Sequence, residues 1–309
     1  MMLHMKFIPI HHVYPKTVFL TLTLLLAGCQ SIWPEYSRPA LDLPGQYTES
    51  ADLNSNDNST GISKTWWTLY QDPILNDLVN KALLNNTDIK LAVGRIEEAD
   101  ALLREVGAAL LPQIELNAAA TRSRVTEAGA FPVFSGNPRN NYIAQLGTSF
   151  EIDFWGKLRR AKDSARAQAL STRYAKDTVA LSLTSLVTSN YLLLRSIESQ
   201  ITITQDNLKS RNASLSLTKR RLDGGVASAL DVRQAEVASA SLEAQLAELN
   251  RLRALNLHEL ALLAGTLDLN LAKTTIATLP IPPTPPAGLP SKLLESRPDI
   301  YQAEARMIL

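Results

Sequence analysis

The chain has 309 residues, 45% hydrophobic but only 6% aromatic, with 31 Lys and Arg against 30 Asp and Glu. Balanced charge excludes a bulk attraction to nucleic acid or another polyanion, and a single cysteine excludes an internal disulfide. So few aromatics in an Ala- and Leu-rich chain suit long helices better than a compact enzyme core.

Residues 1–28 read as a targeting segment. Lys6, His11, His12 and Lys16 precede VFLTLTLLLA, which has the length of a signal h-region and is too short to span a bilayer as a helix. The run ends in Leu26-Ala27-Gly28-Cys29, which resembles the bacterial lipoprotein box. That resemblance implies a diacylglycerol on the Cys29 thiol, cleavage before it, and acylation of the new amine. One acyl chain binds marginally, at roughly 0.8 kcal/mol per buried methylene, whereas two or three hold firmly. Gln30 resembles an outer-membrane sorting residue. The alternative is an ordinary signal peptide that happens to carry a cysteine. Residues 29–65, rich in Pro, Ser, Asn and Asp with NSNDNSTG at 54–61, lack an apolar period and read as a lipid-anchored tether.

At WWTLYQDPILNDLV the character changes. Asp72 and Pro73 are suited to cap and start a helix, and Leu75, Leu78, Val79, Ala82, Leu83, Ile89, Ala92, Val93, Ile96, Ala99, Leu102 and Leu103 carry a helical period toward Leu110 and Leu111 that predicts helix over 72–111, ended by Pro112. Trp66 and Trp67 fit a ligand platform, but at the head of a helix they read as core.

The next period is two. In NYIAQLGTSFEIDFW, Tyr142, Ala144, Leu146, Thr148, Phe150, Ile152 and Phe154 share one face, and QIELNAAATRSRV alternates more weakly. Between them AGAFPVFSGNPR supplies a long turn, giving a β-hairpin over 113–154. A transmembrane barrel hairpin fits this alternation, and so does a soluble, half-buried one.

From Lys157 to Asp223 there are 67 residues without Gly or Pro, which as one helix would reach on the order of 100 Å. Val179, Leu183, Leu186, Val187, Tyr191 and Leu194 mark one apolar face, and Ile197, Ile201, Leu208, Leu215 and Leu222 carry the seam onward. Gly224 and Gly225 break it, both permitting positive φ and close approach. Val226 to Ala264 is again free of Gly and Pro, with Leu230, Val237, Leu242, Leu246, Leu249 and Leu252 on one face. The pattern predicts an antiparallel coiled-coil hairpin over 157–264.

WWTLYQDPILNDLV, FEIDFWGKLRRA, RRLDGGVASALDVRQAE and LPIPPTPPAGLPSKLLESRPDIYQAEAR, in that order, resemble the signatures of the outer-membrane factor family, the TolC-like lipoprotein channels of efflux pumps of the resistance-nodulation-division type. The resemblance implies a mixed α and β membrane protein. It is a homotrimer with long helices forming a periplasmic tunnel and four strands per protomer in a shared outer-membrane barrel. Its implied role is a passive exit duct for drugs, metal ions or other small solutes, joined to an inner-membrane pump through a periplasmic adaptor. The adaptor-contact tip is then Arg221, Leu222, Gly224, Gly225, Ser228 and Asp231. The implied location is the bacterial outer membrane, lipid-anchored and extending into the periplasm.

Such protomers contain two repeats, and residues 66–265 make one. DIKLAVGR at 88–95 and DIYQAEAR at 299–306 share Asp, Ile, Ala and Arg at identical offsets. A Pro-rich linker at 266–296 is therefore expected to lead into a truncated second repeat at 297–309, with the gate residues beyond it. The alternatives are a periplasmic adaptor-type lipoprotein, which would need Gly-rich β segments beside the helical hairpin, and a non-conducting fragment of the channel. An enzyme is not expected: no phosphate loop, metal cluster or nucleophile motif is visible, His258 reads as a seam or surface residue, and no cofactor, metal or nucleic acid is implied.

Overall fold

A computed structural model describes residues 36–38, 63–124, 128, 138–282, 294 and 296–308. Cys29, most of the tether and of the turn, and residues 283–293 and 295 of the Pro-rich linker lie outside them. The elements are α1 (Pro73–Asn85), α2 (Thr87–Ala108), β1 (Gln113–Ser123), β2 (Arg139–Ser149), α3 (Lys157–Asp223), α4 (Ala229–Leu263) and α5 (Pro298–Met307), with short 3-10 turns at Trp66–Tyr70 and Ile276–Thr278. The chain divides into two compact units: residues 1–40 with 102–165, and 41–101 with 166–309.

In the first unit β1 and β2 pair antiparallel, with Leu116 opposite Leu146, Ala118 opposite Ala144 and Ala120 opposite Tyr142. β2 is expected to run on to Phe154 but ends at Ser149. Its partner there is Gln113, which follows Pro112, so there is nothing left to pair with. Gln113 also closes α2, its Nε2 donating to Ala108 O at 2.9 Å and Leu111 O at 3.2 Å. These bonds take up carbonyls that the helix end leaves without partners.

In the second unit the expected helix over 72–111 is two helices. Asn86 leaves the helical conformation at ψ 137, its Oδ1 accepts from Asp88 N at 2.8 Å, and its Nδ2 donates to Leu263 O at 3.1 Å. It therefore caps the start of α2 and ties the break to the end of α4. An interior asparagine competing for backbone groups is the physical cause of the break.

Trp67, Leu75, Leu78, Val79, Ala82 and Ile89 pack with Leu183, Val187, Tyr191 and Leu194 of α3 and Leu260 of α4 in the main core. Trp66 meets Trp67 edge to face at 6.2 Å, so the pair is core, as expected. Ile197, Ile201 and Leu249 form a second cluster. α5 is fastened to α3 by stacking of Tyr301 on Tyr174 at 5.2 Å, and Ala305 is buried.

The seam of α4 differs from the expected one. Val232, Ser239, Leu249, Asn256 and Leu260 are buried, while Leu230 and Val237 are 65% and 69% exposed. Counting from Val232 through Ala235, Ser239, Leu242, Leu246, Leu249, Arg253 and Asn256 to Leu260, the steps alternate between three and four, which is a heptad seam. Several of its positions are polar and are matched across the hairpin. The Ser239 hydroxyl bonds Asn212, Asn256 Nδ2 donates to Asn190 Oδ1 at 3.3 Å, and Arg253 meets Glu198 at 2.9 Å.

Candidate functional site

The chain carries two candidate sites, one in each unit.

The first is the β-hairpin. Every residue of β1 and β2 is exposed. Alternation and register together place Ile114, Leu116, Ala118 and Ala120 with Tyr142, Ala144, Leu146 and Thr148 on one face. Glu115, Asn117, Ala119 and Thr121 with Asn141, Ile143, Gln145 and Gly147 fall on the other. A fully exposed two-stranded ribbon has no core of its own and is at best marginally stable in water. The apolar face, with Ile114 at 72% exposure and Leu116 and Leu146 at 75%, therefore needs an apolar environment or further strands.

The second is the turn joining α3 to α4. Val226 N donates to Arg221 O and Gly225 N to Leu222 O, both at 2.8 Å. With Gly225 at φ 75, this is a Schellman stop. Of the two glycines that permit positive φ, only Gly225 adopts it. Gly224 continues the helical path and donates to Arg220 O at 3.0 Å, because the motif requires the left-handed conformation at only one position.

Ser228 then caps α4. Its hydroxyl accepts from Asp231 N at 3.2 Å, and Asp231 Oδ2 accepts from Ser228 N at 2.8 Å and Ser228 Oγ at 2.7 Å, forming a capping box. These Ser228 bonds, together with the Arg221 charge, hold the Asp231 carboxyl below the usual carboxylate range. Ser228 and Asp231, expected as outward polar contacts, are thus engaged with each other. Leu222 is half-buried and Arg221 is exposed.

The tip exposes apolar residues that sequence reasoning did not assign to it. Val226 and Leu230 are 68% and 65% exposed, and Val237, seven residues beyond Leu230, is also exposed. The seven-residue spacing of Leu230 and Val237 is the signal that the sequence offers, and it fits a seam equally well. Above the turn, Glu236 bridges Lys219 at 3.0 Å and Arg233 at 2.9 Å, and these bonds lower its pKa.

His258 is exposed on α4. Among the described residues no group of three His, Cys, Asp or Glu is placed to hold a metal ion, and no helix is long and apolar enough to cross a membrane.

Comparison with known proteins decides the family. The family model described as "Outer membrane efflux protein" matches residues 78–266, over half of the chain. The chain belongs to that family. As an outer membrane efflux protein it is 30% identical over 290 residues to the probable efflux pump outer membrane protein TtgC of Pseudomonas putida, covering 91% of this chain and 58% of TtgC. It is 33% identical over 290 residues to the pyoverdine export outer membrane protein OpmQ of Pseudomonas aeruginosa, covering 92% of this chain and 60% of OpmQ. The outer-membrane channel OprN superposes with a TM-score of 0.75 at 27% identity, over 90% of this chain and 62% of OprN. The chain thus spans about three-fifths of the length of these relatives. The family is one of outer-membrane efflux channels, which are not enzymes.

Proposed function

We propose that this chain serves as part of the outer-membrane channel of a tripartite efflux pump. In this reading it forms a passive exit duct for drugs, metal ions or other small solutes, with the driving energy supplied elsewhere in the assembly. The observation that carries the proposal is the exposed hairpin with one apolar and one polar face. Lipid supplies no partner for an unsatisfied backbone group, so membrane strands must close into a barrel. One hairpin leaves two edges open, and a shared barrel built from several copies and further strands removes them.

The same reading gives the remaining parts their roles. The chain assembles as a homotrimer in the outer membrane, anchored by acylated Cys29. The α3–α4 hairpin forms part of the periplasmic tunnel, and its tip meets a periplasmic adaptor coupled to an inner-membrane pump. The family relationship and the likeness to OprN support these assignments.

Single cysteines test the hairpin. With the protein in the outer membrane of intact cells, a water-soluble maleimide is expected to label Asn117→Cys and Gln145→Cys on the polar face and to spare Leu116→Cys and Leu146→Cys on the apolar face. Equal labelling of both faces would refute the membrane hairpin.

A further inference from the structure

The β-hairpin joins the helices through an acidic end, and cations on α3 neutralise two of its carboxylates. Glu151 pairs with Lys157 at 3.4 Å and Asp153 with Arg159 at 3.3 Å. Glu115 is left alone. It is exposed on β1, and among the described residues its carboxylate has no ion pair or hydrogen bond.

Register gives that carboxylate an open setting. Its cross-strand partner is Gly147, which has no side chain, and a Cβ built there would meet no atom within 4 Å. On the same face Asn117 pairs with Gln145, Ala119 with Ile143 and Thr121 with Asn141, all uncharged, and Arg139 follows at the turn end. Glu115 is the only acidic residue of either strand. It lies two residues inside Gln113, roughly 7 Å along the strand from the helical end.

A bare carboxylate needs water, so the polar face that carries Glu115 is the face that lines an aqueous passage. Low-dielectric walls confine the field of a charge in such a passage, so it acts on a passing ion more strongly than it would in open water. Rings of Asp or Glu in a pore draw cations and turn anions away.

We propose that Glu115 biases the duct toward cationic solutes and against anionic ones at the mouth where the barrel meets the helices. The proposal rests on the reading of the hairpin as a membrane element, which requires a polar lumen but no charge preference. Each copy in a shared barrel adds one such carboxylate. Glu151 and Asp153, already paired, add little.

The test uses two small thiol-reactive solutes of opposite charge. The full chain carrying Gly147→Cys, in the outer membrane of intact cells, is reacted with a methanethiosulfonate bearing either a trimethylammonium or a sulfonate group. Reaction at this position is the label gained over the chain without the substitution. Relative to a free thiol in solution, the cationic reagent is expected to be favoured, and Glu115→Gln to lower the ratio of the two rates by about fivefold, through loss of a charge within about 7 Å. Glu115→Asp is expected to preserve the ratio. At Asn141→Cys, roughly 20 Å farther along β2 and beyond the screening length, Glu115→Gln is expected to leave it unchanged. A ratio at Gly147→Cys that Glu115→Gln does not move would overturn the charge preference while leaving the polar lumen intact, and a fall of the same size at Asn141→Cys would do likewise. Failure of both reagents to react at Gly147→Cys would overturn both.

Discussion

Asp72 and Tyr191 join two helices through a single carboxylate. Asp72 Oδ1 accepts from Ile74 N at 2.8 Å and Leu75 N at 3.4 Å, capping α1, while the Tyr191 hydroxyl on α3 donates to Oδ2. Tyr191 is fully buried and Asp72 nearly so, so neither group has ready access to water as a substitute partner. Tyr191→Phe is expected to destabilise the protein by about 2 kcal/mol, since it strips a buried carboxylate of a donor. Chemical denaturation with circular dichroism measures the loss.

The same pair sets an alkaline limit. Burial, with the hydrogen bond to Asp72, pushes the Tyr191 phenol up to about 12, above its ordinary value near 10. The folded state therefore holds this proton more tightly than the unfolded chain does. The contribution is complete below about pH 10 and is lost as pH rises through about 12. Tyr191→Phe is expected to flatten the stability profile across that window, and an unchanged slope would count against the assignment.

Much of this core was legible in the sequence because it is built from side chains whose type announces burial. Leu75, Leu78 and Val79 keep the helical period, Asp72-Pro73 reads as a start signal, and all of them sit where the pattern put them. The break at Asn86 was not legible, because an asparagine inside a helical period can point to solvent as readily as compete for backbone groups, and only its bonds to Asp88 N and Leu263 O show which it does. Nor was the α4 seam, where Ser239, Arg253 and Asn256 occupy heptad positions and only their partners on α3 reveal why. At the tip the two glycines were legible as a stop. Which one needed positive φ, and that Ser228 and Asp231 bond each other, were set by backbone geometry that residue types alone do not encode.

Glu198 holds three elements together. Its Oε2 accepts from Arg195 Nη1 at 2.8 Å and from Thr274 N at 3.2 Å, and its Oε1 accepts from Arg253 Nε at 2.9 Å. Arg195, at 0% exposure, also donates to Ala272 O at 2.7 Å and lies over the Tyr191 ring at 4.7 Å. Glu198→Ala would leave a buried guanidinium without its counter-charge, for an expected cost of about 3–5 kcal/mol. Asn190→Leu combined with Asn256→Leu removes a neutral polar pair from the same hairpin and is expected to cost far less. Thermal unfolding of the two variants side by side distinguishes charge desolvation from simple seam disruption.

Three glycines at helix ends are expected to respond differently to Ala. Gly265 has φ 64, and a Cβ there would lie 2.8 Å from Asn85 Cβ and 2.9 Å from its backbone C and O. Strain and overlap together predict a loss of roughly 2–5 kcal/mol. Gly225 has φ 75 but open space around it, which leaves only the conformational term of about 1–2 kcal/mol. Gly224→Ala meets its nearest atom at an ordinary 3.5 Å without positive φ and is expected to be near neutral. Denaturation midpoints that fail to rank 265, 225, 224 in decreasing cost would overturn this account.

The tip has an acid limit that follows from the capping box. Ser228 lowers the Asp231 carboxyl pKa in the folded state, so the folded tip favours the ionised form. Its contribution is fully present above the ordinary carboxylate value of about 4 and is lost as pH falls through the lowered value. Amide exchange in the first turn of α4 is expected to accelerate only on acidification below about pH 4, and Asp231→Asn to show the faster exchange already at neutral pH.

Adaptor docking requires a probe that leaves this turn standing. A change at Ser228 removes the cap at a cost of about 1 kcal/mol, so a lost contact and a disturbed turn would look alike. Val226 and Leu230 separate the two effects. Both are exposed and outside the seam, so Val226→Ser with Leu230→Ser is expected to change stability by no more than about 0.5 kcal/mol per site. If an adaptor buries these side chains, each contributes about 1–2 kcal/mol to the contact, and the double variant is expected to weaken it at least about tenfold. A photo-crosslinker at Ala229, exposed on the first turn of α4, reads the contact in cells that produce the adaptor. Cross-linking that persists at full yield in a folded double variant would move the adaptor contact away from this apolar pair.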